Sequence, residues 1–505
     1  MYQKFIKLVY ALNNIAGDLV NKRVPVNMKC TGSLVALLIP LVFSATAQPN
    51  WGMPRVANTG LPRGEATQRL NNTARKPVSL TPPMGWNSWN NFGLQITEAE
   101  FKQQADYVAE KLKPFGYQYV VIDASWYSPS VSASKESPYQ HGSYAKHDAN
   151  IDEYGRFLPA ENKFPNAKGS LKYLADYAHA KGLKFGIHIQ RGIPWQAVEK
   201  DMPITGSAAR AKDIANPADV CLWFNATYGI DMTQAGAQEY YNSIFRLYAS
   251  WGVDFVKVDD LSMPYHADEI TAIRKAIEAS GREMLFSTSP GSTPVSARYH
   301  VLNNADMFRV SSDFWDTWPQ LQKQFDFAKQ WAVFSVNSPG HWPDLDMLPV
   351  GKIGTRSGDA GGERFTRFTK DEQYSLMTLW CISRSPLIVS NDLLANDAFT
   401  LQLITNRKVL EVNQHGSAQK QLFAEKGIVA WQSVHDKDGS LYLALFNQND
   451  KMEKVNFALA KFRLQGSYRV EDLWLQKMLP AVTETIAAEI PAHGVVLYRL
   501  IKNER

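Results

Sequence analysis

The chain has 505 residues, of which 45% are hydrophobic, 12% aromatic and 20% charged, as in an ordinary soluble enzyme that can bury a large core in two or three domains. Its formal net charge is only +5. A charge this small excludes the strongly basic surface that binding to nucleic acid or to an anionic membrane requires.

The first 47 residues contain a predicted secretory signal. It begins at Met28, which is followed by a lysine, and it continues through a short apolar run to an Ala-x-Ala sequence that ends at Ala47. This order predicts export and cleavage after Ala47, and the apolar run is too short for a membrane span. The protein is therefore expected to be periplasmic or extracellular, with no membrane anchor.

Removal of residues 1–47 changes the charge and the cysteine count. The segment carries five basic residues and one acidic residue, so the net charge falls from +5 to +1. Only Cys221 and Cys381 remain, and two cysteines this far apart predict buried free thiols instead of a disulfide framework.

A polar, aperiodic segment at 48–77 predicts a linker. Short apolar runs then alternate with helical patterns from 78 to 414, and most of these runs are continuous, as in strands that are buried on both faces. The eight predicted strands are Gly85–Trp89, Tyr119–Asp123, Lys184–His188, Phe255–Asp259, Met284–Ser287, Met307–Val310, Trp331–Asn337 and Leu379–Ser385.

Helices are predicted between these strands. Thr97 and Glu100 form a capping box ahead of an apolar stripe, and further helices are predicted at 170–182, 240–248 and 267–279. The alternation of eight strands with helices predicts an α/β fold, a (β/α)₈ TIM barrel. An open doubly wound sheet is the alternative, although no Gly-x-Gly-x-x-Gly motif follows any predicted strand.

The pattern changes after residue 414. Residues 415–505 contain short strands separated by turn signals, which predicts a C-terminal antiparallel β-sandwich domain. The predicted strands are Gly427–Gln432, Leu441–Asn447, Lys454–Ala458, Tyr468–Asp472 and Gly494–Leu500. This domain has few reactive groups of its own, so we expect it to be a packing partner or a weak sugar-binding module.

Functional groups of a parallel barrel cluster at the carboxyl ends of its strands. Acids, cations and aromatic rings concentrate at the predicted strand ends, namely at Trp86, Trp89, Asp123, Trp126, His188, Arg191, Lys257, Asp259, Asp260, Ser287, Ser289, Arg309, Asp313, Asp316, His341, Trp342, Asp344 and Asp346. A single aspartate there is more often a helix N-cap than a catalyst. The concentration of these groups at one end of the barrel nevertheless predicts a site.

Two acids in this set suit the hydrolysis of a glycosidic bond. Asp259 and Asp313 end two predicted strands and face each other across the barrel mouth, as paired carboxylates do in acid/base hydrolysis. Lys257 points to the same side as Asp259 and favours its ionised form, which a nucleophile requires. The aromatic residues after Asp313 are expected to raise its pKa, as an acid catalyst requires, and Arg309 orients Asp313 or binds a sugar hydroxyl.

A catalytic metal is the alternative use of these aspartates and histidines. No His-x-x-x-His or Glu-x-x-His spacing brings ligands together, so neither a metal nor a cofactor is predicted.

Several segments resemble glycoside hydrolase family 27, the α-galactosidase and α-N-acetylgalactosaminidase family. The segment 82–89 (PPMGWNSW) resembles the opening signature of the family, 252–259 (GVDFVKVD) its nucleophile strand, and 309–313 (RVSSD) its acid/base segment. Further matches are 343–348 (PDLDML) and 385–393 (SPLIVSNDL), which resemble late barrel motifs, and 412–414 (VNQ), which resembles the passage into the β domain.

The resemblance covers about residues 78–505 and implies a retaining exo-glycosidase without metal or organic cofactor. By this resemblance Asp259 is the nucleophile and Asp313 the acid/base. The residues that it places against the bound sugar are Trp89, Asp123, Lys257 and Arg309. The implied substrate is an oligo- or polysaccharide with a terminal α-D-galactosyl residue, and no nucleic-acid partner is expected.

Two departures from the family pattern bear on the sugar. The α-galactosidases of the family carry paired acids after the second strand that hold the 4- and 6-hydroxyls, whereas this chain has Asp123-Ala124. Small residues around Ser289 replace bulkier ones near the 2-position, which leaves room for a 2-acetamido group. Substrates with α-N-acetylgalactosaminide, β-L-arabinopyranoside or isomaltosyl units therefore remain alternatives to galactosides.

Functions of two other classes also remain open. The first is a non-catalytic carbohydrate-binding barrel, which the presence of both Asp259 and Asp313 disfavours. The second is a lyase or isomerase that uses Lys257 to form a Schiff base with its substrate.

We expect the mature protein to begin at Gln48, because signal peptidase cleaves after the Ala-x-Ala sequence. Mass spectrometry of the protein exported by a bacterial host measures this directly. An exported protein that keeps residues 28–47 would contradict the prediction.

Overall fold

The computed structural model describes residues 76–129, 147–221, 223–336 and 339–503. The predicted signal at 1–47 and nearly all of the predicted linker at 48–77 lie outside these residues. Within the described part of the chain, no helix combines the length and the apolar character needed to cross a bilayer.

A curled parallel sheet forms the centre of the fold. The strands up to residue 389 are β1 Met84–Asn87, β2 Tyr119–Ile122, β3 Lys184–Gln190, β4 Ile193–Pro194, β5 Ala215–Val220, β6 Thr227–Ile230, β7 Phe255–Asp259, β8 Leu285–Thr288, β9 Met307–Arg309, β10 Trp342–Asp344, β11 Lys352–Ile353, β12 Arg364–Phe365 and β13 Leu387–Val389. Eight of these strands pair in the order β10-β9-β8-β7-β3-β2-β1-β13. A bridge between Leu348 and Val389 joins the two ends of this sheet, which confirms the predicted (β/α)₈ barrel.

Helices cover the outside of the barrel. They are α1 Trp89–Phe92, α2 Glu98–Tyr107, α3 Lys172–Ala180, α4 Trp195–Glu199, α5 Ala211–Ile214, α6 Ala237–Trp251, α7 Ala267–Ala279, α8 Arg298–Asn304, α9 Trp318–Ser335, α10 Lys370–Ser383, α11 Ala398–Thr405 and α12 Arg407–His415. The predicted capping box is confirmed, because Thr97 accepts from the Glu100 N–H and the Glu100 side chain accepts from the Thr97 N–H. Strands enclosed by this layer are buried on both faces, as the sequence predicts.

Two of the eight predicted strands are wrong. The run predicted at Trp331–Asn337 falls at the end of α9, and Asn337 itself lies outside the described residues; the run predicted at Leu379–Ser385 belongs largely to α10. Helix α10 is buried on nearly every side between the barrel and the C-terminal domain, so it lacks the polar face that marks a surface helix. The true seventh and eighth strands, β10 and β13, follow these helices.

An insertion after β3 adds a small antiparallel sheet to the barrel. In this sheet β6 pairs with β4 on one side and with β5 on the other. Two residues at the end of β3 attach the insertion to the barrel. The Gln190 amide donates to the Phe224 carbonyl oxygen at 2.7 Å, and the Arg191 guanidinium binds the Asp219 carboxylate at 2.6 Å.

The C-terminal domain is the predicted antiparallel sandwich. Its strands are β14 Gly416–Glu425, β15 Ile428–His435, β16 Leu441–Asn447, β17 Glu453–Ala458, β18 Tyr468–Asp472, β19 Lys477–Val482, β20 Thr485–Ile490 and β21 Val495–Lys502. Six strands pair in the order β14-β15-β16-β21-β18-β19, and β17 pairs with β20. The sequence analysis missed β14, β19 and β20, because these are edge strands with mixed polar sequences and little alternation.

The barrel and the sandwich share a packed interface around α10. Ser375 on this helix donates to the His493 carbonyl oxygen at 2.6 Å, and Thr378 accepts from Nε1 of Trp474 at 2.9 Å. The His493 ring also stacks on Trp318 at the start of α9, with 4.0 Å between the ring centroids. The sandwich therefore removes the outer face of α10 from water and acts as a packing partner of the barrel.

Cys221 and Cys381 are both buried and free, as predicted.

Candidate active site

The barrel brings the seven candidate catalytic and sugar-binding residues to the carboxyl ends of its strands. Trp89 begins α1 directly after β1, Asp123 follows β2, Lys257 and Asp259 lie on β7, Ser289 follows β8, Arg309 ends β9, and Asp313 lies four residues beyond Arg309. One end of the barrel therefore collects them, as the parallel topology requires. The expectation for His341 and Trp342 is wrong, because they precede and begin β10 and therefore lie at its amino-terminal end.

Asp259 is a buried carboxylate held by a histidine. Only 5% of Asp259 is exposed, and its Oδ2 lies 2.7 Å from Nε2 of His188 on the neighbouring strand β3. Nδ1 of His188 has no hydrogen-bond partner among the described residues, so we assign the proton to Nε2, which donates to the carboxylate. Within the same residues Oδ1 of Asp259 has no partner of hydrogen-bond geometry and is the oxygen left for a reaction.

Burial alone would raise the pKa of Asp259. The positive charge of Lys257 and the hydrogen bond from His188 outweigh burial and hold this pKa well below its usual range. The Ser289 hydroxyl lies close enough to lower the pKa further, although it misses hydrogen-bond geometry. Asp259 is therefore ionised at neutral pH, which is the state that a nucleophile requires.

Lys257 stabilises the negative charges of two carboxylates at the barrel mouth, those of Asp123 and Asp259. Its Nζ lies 2.9 Å from Oδ2 of Asp123, and the same oxygen accepts a hydrogen bond of 2.6 Å from the Asn87 amide. Burial opposes the charged form of Lys257, yet Asp123 and Asp259 raise its pKa above the ordinary value. Because an amine must be neutral to attack a carbonyl, this protonated Lys257 disfavours the Schiff-base alternative.

Arg309 joins Asp313 to a second acid, Asp346. Its Nη2 lies 3.3 Å from Oδ1 of Asp313 and 2.7 Å from Oδ2 of Asp346. Burial raises the pKa of Asp346 to about 7, and the charges of Asp313 and Asp344 add to this effect. A single guanidinium therefore orients both an acid at the rim and an acid in the interior.

The apolar setting expected for Asp313 is wrong. The Asp313 side chain is 52% exposed. Phe314 turns the other way, into the core, where its ring centroid lies 5.1 Å from that of Trp380. Successive side chains of an extended segment point to opposite sides, so the apolar neighbour in sequence faces away from the acid. Asp313 lies at the rim of the site, in contact with solvent.

Trp223 on the insertion is a site residue that the sequence analysis missed. Its ring contacts those of Trp89 and His188 edge to face, with 6.2 Å between centroids in each pair. Its Nε1 is buried and has no hydrogen-bond partner among the residues that the structure describes. The pair Trp223-Phe224, in a long segment between two predicted strands, was the available signal, because aromatic rings offer an apolar face to a sugar.

A small cavity lies inside the barrel. Polar side chains line its upper part, among them Asn87, Lys257, Ser287, Ser289, Arg309, Asp344 and Asp346. Apolar side chains of the barrel interior, Val121, Phe255, Met307, Met347 and Ile388, complete it. Three of the candidate site residues, Lys257, Ser289 and Arg309, therefore border this cavity, whereas Asp259 and Asp313 do not line it.

Two family models match this chain. One, described as Alpha galactosidase A, matches residues 81–197 and 220–415, and one described as Alpha galactosidase C-terminal beta sandwich domain matches residues 425–500. The chain belongs to glycoside hydrolase family 27. The predicted resemblance is confirmed, and the protein is a glycosidase of this family.

Relatives within family 27 differ in the sugar they act on. A β-L-arabinopyranosidase structure from Geobacillus stearothermophilus is 45% identical with a TM-score of 0.79, and the match covers 84% of this chain and 97% of that one. A candidate α-N-acetylgalactosaminidase from Bacillus halodurans is 41% identical with a TM-score of 0.75, covering 85% and 99%. Alpha-galactosidase 2 of Arabidopsis thaliana is 25% identical over 434 residues, covering 85% of this chain and 91% of the plant protein.

Among the residues that the structure describes, one group of potential metal ligands lies beside this family 27 site, and it consists of Asp219, His266 and Glu269. The Arg191 guanidinium already lies among them, 3.0 Å from Asp219 and 2.9 Å from Glu269. A metal ion there would have to displace a buried positive charge. We therefore assign these acids to Arg191.

Replacement of Lys257 by methionine is expected to move the acid limb of the pH–kcat/KM profile to higher pH. The substitution removes the cation that keeps the pKa of Asp259 low, so Asp259 becomes protonated, and inactive, at a higher pH than in the wild type. The profile measured with a nitrophenyl glycoside tests this. Lys454→Met, at an exposed position of the sandwich, is the control, and an unmoved acid limb in Lys257→Met contradicts the electrostatic role.

Proposed function

We propose that the protein is an exported, retaining exo-glycosidase that removes terminal β-L-arabinopyranosyl residues in preference to terminal α-D-galactosyl residues. The two sugars share the configuration of their pyranose rings, and the pentose lacks only the hydroxymethyl group of galactose. The preference is argued from Asp123-Ala124, and export from the predicted signal at 28–47.

The observation that carries the preference is the pairing of a charged Asp123 with an apolar Ala124. Asp123 is 1% exposed, and Lys257 and the Asn87 amide hold its carboxylate ready to accept from a sugar hydroxyl. Ala124 is fully buried and offers no second acceptor for a 6-hydroxyl. A sugar without that hydroxyl loses nothing at this position, whereas galactose would bury an unpaired polar group. The 45% identical arabinopyranosidase supports the same choice.

The proposed reaction is a double displacement. Oδ1 of Asp259 attacks the anomeric carbon while Asp313 donates a proton to the leaving oxygen, so the glycosidic bond breaks and a glycosyl ester forms. Asp313 then removes a proton from water, and the water oxygen displaces Asp259 with a second inversion. The buried, ionised state of Asp259 suits the first role, and the exposed position of Asp313 suits exchange of protons with water.

An α-N-acetylgalactosaminide is the second candidate substrate. Ser287 and Ser289 present small side chains to the cavity, which leaves room beside the 2-position of the sugar. The 41% identical protein from Bacillus halodurans favours testing this sugar as well.

In a panel of nitrophenyl glycosides, kcat/KM for the β-L-arabinopyranoside is expected to exceed that for the α-D-galactoside by about tenfold or more. The panel also contains the α-N-acetylgalactosaminide and the α-glucoside. Ala124→Asp restores an acceptor for the 6-hydroxyl and is expected to shift the ratio toward the galactoside by about tenfold. Ala124→Val adds bulk without an acceptor and is the control. A wild-type preference for galactoside, or equal shifts in both variants, contradicts the proposed specificity.

Replacement of the two aspartates is expected to give different products with azide. Asp259→Ala removes the nucleophile, so hydrolysis falls for every leaving group, and azide can only take the place of Asp259 and give a glycosyl azide of inverted configuration. Asp313→Ala still forms the ester with a nitrophenyl substrate, because nitrophenolate leaves without a proton, and azide then gives the retained anomer. Proton NMR distinguishes the two azides.

Asp326→Ala, at an exposed position on α9, is the control for these variants and should keep wild-type rates. Exchanged azide products would reverse the roles of the two aspartates, and full activity in both variants would place the chemistry elsewhere.

A further inference from the structure

Arg191 is the centre of an ion cluster beside the proposed nucleophile. It directly follows Gln190, the residue of β3 that pairs with Asp259 in the sheet, and it is only 2% exposed. Its guanidinium binds Asp219 with two contacts of 2.6 and 3.0 Å and lies 2.9 Å from Glu269 and 3.0 Å from Asp260. Three carboxylates on three different segments therefore meet one buried cation.

The same residue binds the main chain at the end of β7. The main-chain N–H of Arg191 donates to the Asp259 carbonyl oxygen at 3.1 Å, and Nε of its side chain donates to the Asp260 carbonyl oxygen at 2.8 Å. Asp260 has a φ of +65°, a left-handed conformation that a non-glycine residue keeps only when its surroundings impose it. These two hydrogen bonds hold the turn that immediately follows the nucleophile.

The cluster also attaches the insertion to this turn. Asp219 lies on β5, in the same insertion as Trp223, and the Trp223 ring contacts His188. His188 in turn donates to Asp259. The Arg191 guanidinium thus connects the turn after Asp259 with the insertion. The tryptophan of that insertion packs against the histidine that donates to the Asp259 side chain.

The inner side of the cluster is rigidly anchored. Glu269 lies in the first turn of α7 and accepts from the Tyr241 hydroxyl, which itself accepts from the Gly192 N–H at 3.0 Å. Burial raises the pKa of both Glu269 and Asp260, the latter to about 7, and the nearby charge of Asp219 adds to this effect. Removal of Arg191 would leave these acids to repel one another beneath Asp259.

We propose that the Arg191 side chain positions the nucleophile, since its Nε holds the main chain of Asp260, directly after Asp259, and its guanidinium locks the Trp223 insertion against the same strand end. This inference rests on the proposed function, which assigns Asp259 as the nucleophile. Arg191 itself does not touch the sugar in this account and acts through Asp259.

The test uses the full-length enzyme and the nitrophenyl glycoside that it cleaves fastest. For Arg191→Met we expect kcat to fall by about 10- to 100-fold, because a displaced nucleophile weakens the reaction, and KM to rise by about three- to tenfold, because the contact with Asp219 is lost as well. Arg191→Lys keeps the charge and one hydrogen bond and should lie between Arg191→Met and the wild type.

A matched control separates positioning from stability. Arg274 is another buried arginine that binds a main-chain carbonyl oxygen, of Asn304 at 2.6 Å, and a carboxylate, of Asp306 at 2.6 Å, at the amino-terminal end of β9. Arg274→Met should lower the thermal midpoint and leave kcat per folded enzyme unchanged. Arg191→Met should lower kcat even when rates are corrected for the folded fraction.

The position of the nucleophile can be measured directly with a trinitrophenyl difluoroglycoside, an inactivator that traps the glycosyl ester. Its inactivation rate should fall in Arg191→Met by the same factor as kcat, and peptide mapping should locate the label on Asp259. A label on another residue overturns the proposed function and with it this inference. A label on Asp259 with a wild-type inactivation rate in both Arg191 variants overturns the inference alone.

Asp219→Asn tests the attachment of the insertion separately and does not depend on the folding of the Arg191 variants. It weakens the contact with the insertion but leaves both main-chain hydrogen bonds of Arg191 intact. We expect KM to rise by about three- to tenfold with kcat nearly unchanged, since Trp223 would pack less firmly at the sugar site. Unchanged KM in this variant shows that Arg191 does not hold the insertion, which contradicts that half of the proposal.

Discussion

One ammonium group shared by two buried carboxylates is the interaction on which the site depends. Lys257 binds Asp123 and lowers the pKa of both Asp123 and Asp259, although both acids are nearly removed from water. Without this cation two like charges would lie together at low dielectric, and at least one acid would take up a proton. The β7 strand makes the arrangement possible because residues 257 and 259 point to the same side.

The two proposed catalytic acids differ through their positions along the barrel axis. Asp259 ends a buried strand and is held by His188, so its charge is stabilised by fixed groups. Asp313 follows a turn that sends Phe314 into the core and leaves the carboxylate half exposed beside Arg309. A deep, ionised group suits nucleophilic attack, and a rim group that exchanges protons with water suits acid and base work.

Two parts outside the eight-stranded barrel, the C-terminal sandwich and the insertion after β3, complete the structure. The sandwich covers the outer face of α10, and the insertion after β3 brings Trp223 to Trp89 and His188. Arg191 attaches that insertion to the end of β7. The candidate site is thus bounded on one side by the barrel and on the other by the insertion that Arg191 attaches to it.

The sequence by itself determined the family, six of the eight barrel strands, and the seven candidate site residues at or just beyond the strand ends. These properties follow from local patterns: continuous apolar runs, the capping box at Thr97 and short motifs such as 252–259. It could not separate the second half of helix α10 from a strand, because a short apolar run in a buried helix has the same sequence pattern as a buried strand.

Only the tertiary structure decided the exposure of Asp313, the contact of Trp223 with His188 and the contacts of Arg191 with three carboxylates. Each depends on residues far apart in the chain, whose distance in space is set by how the barrel closes and where the insertion packs.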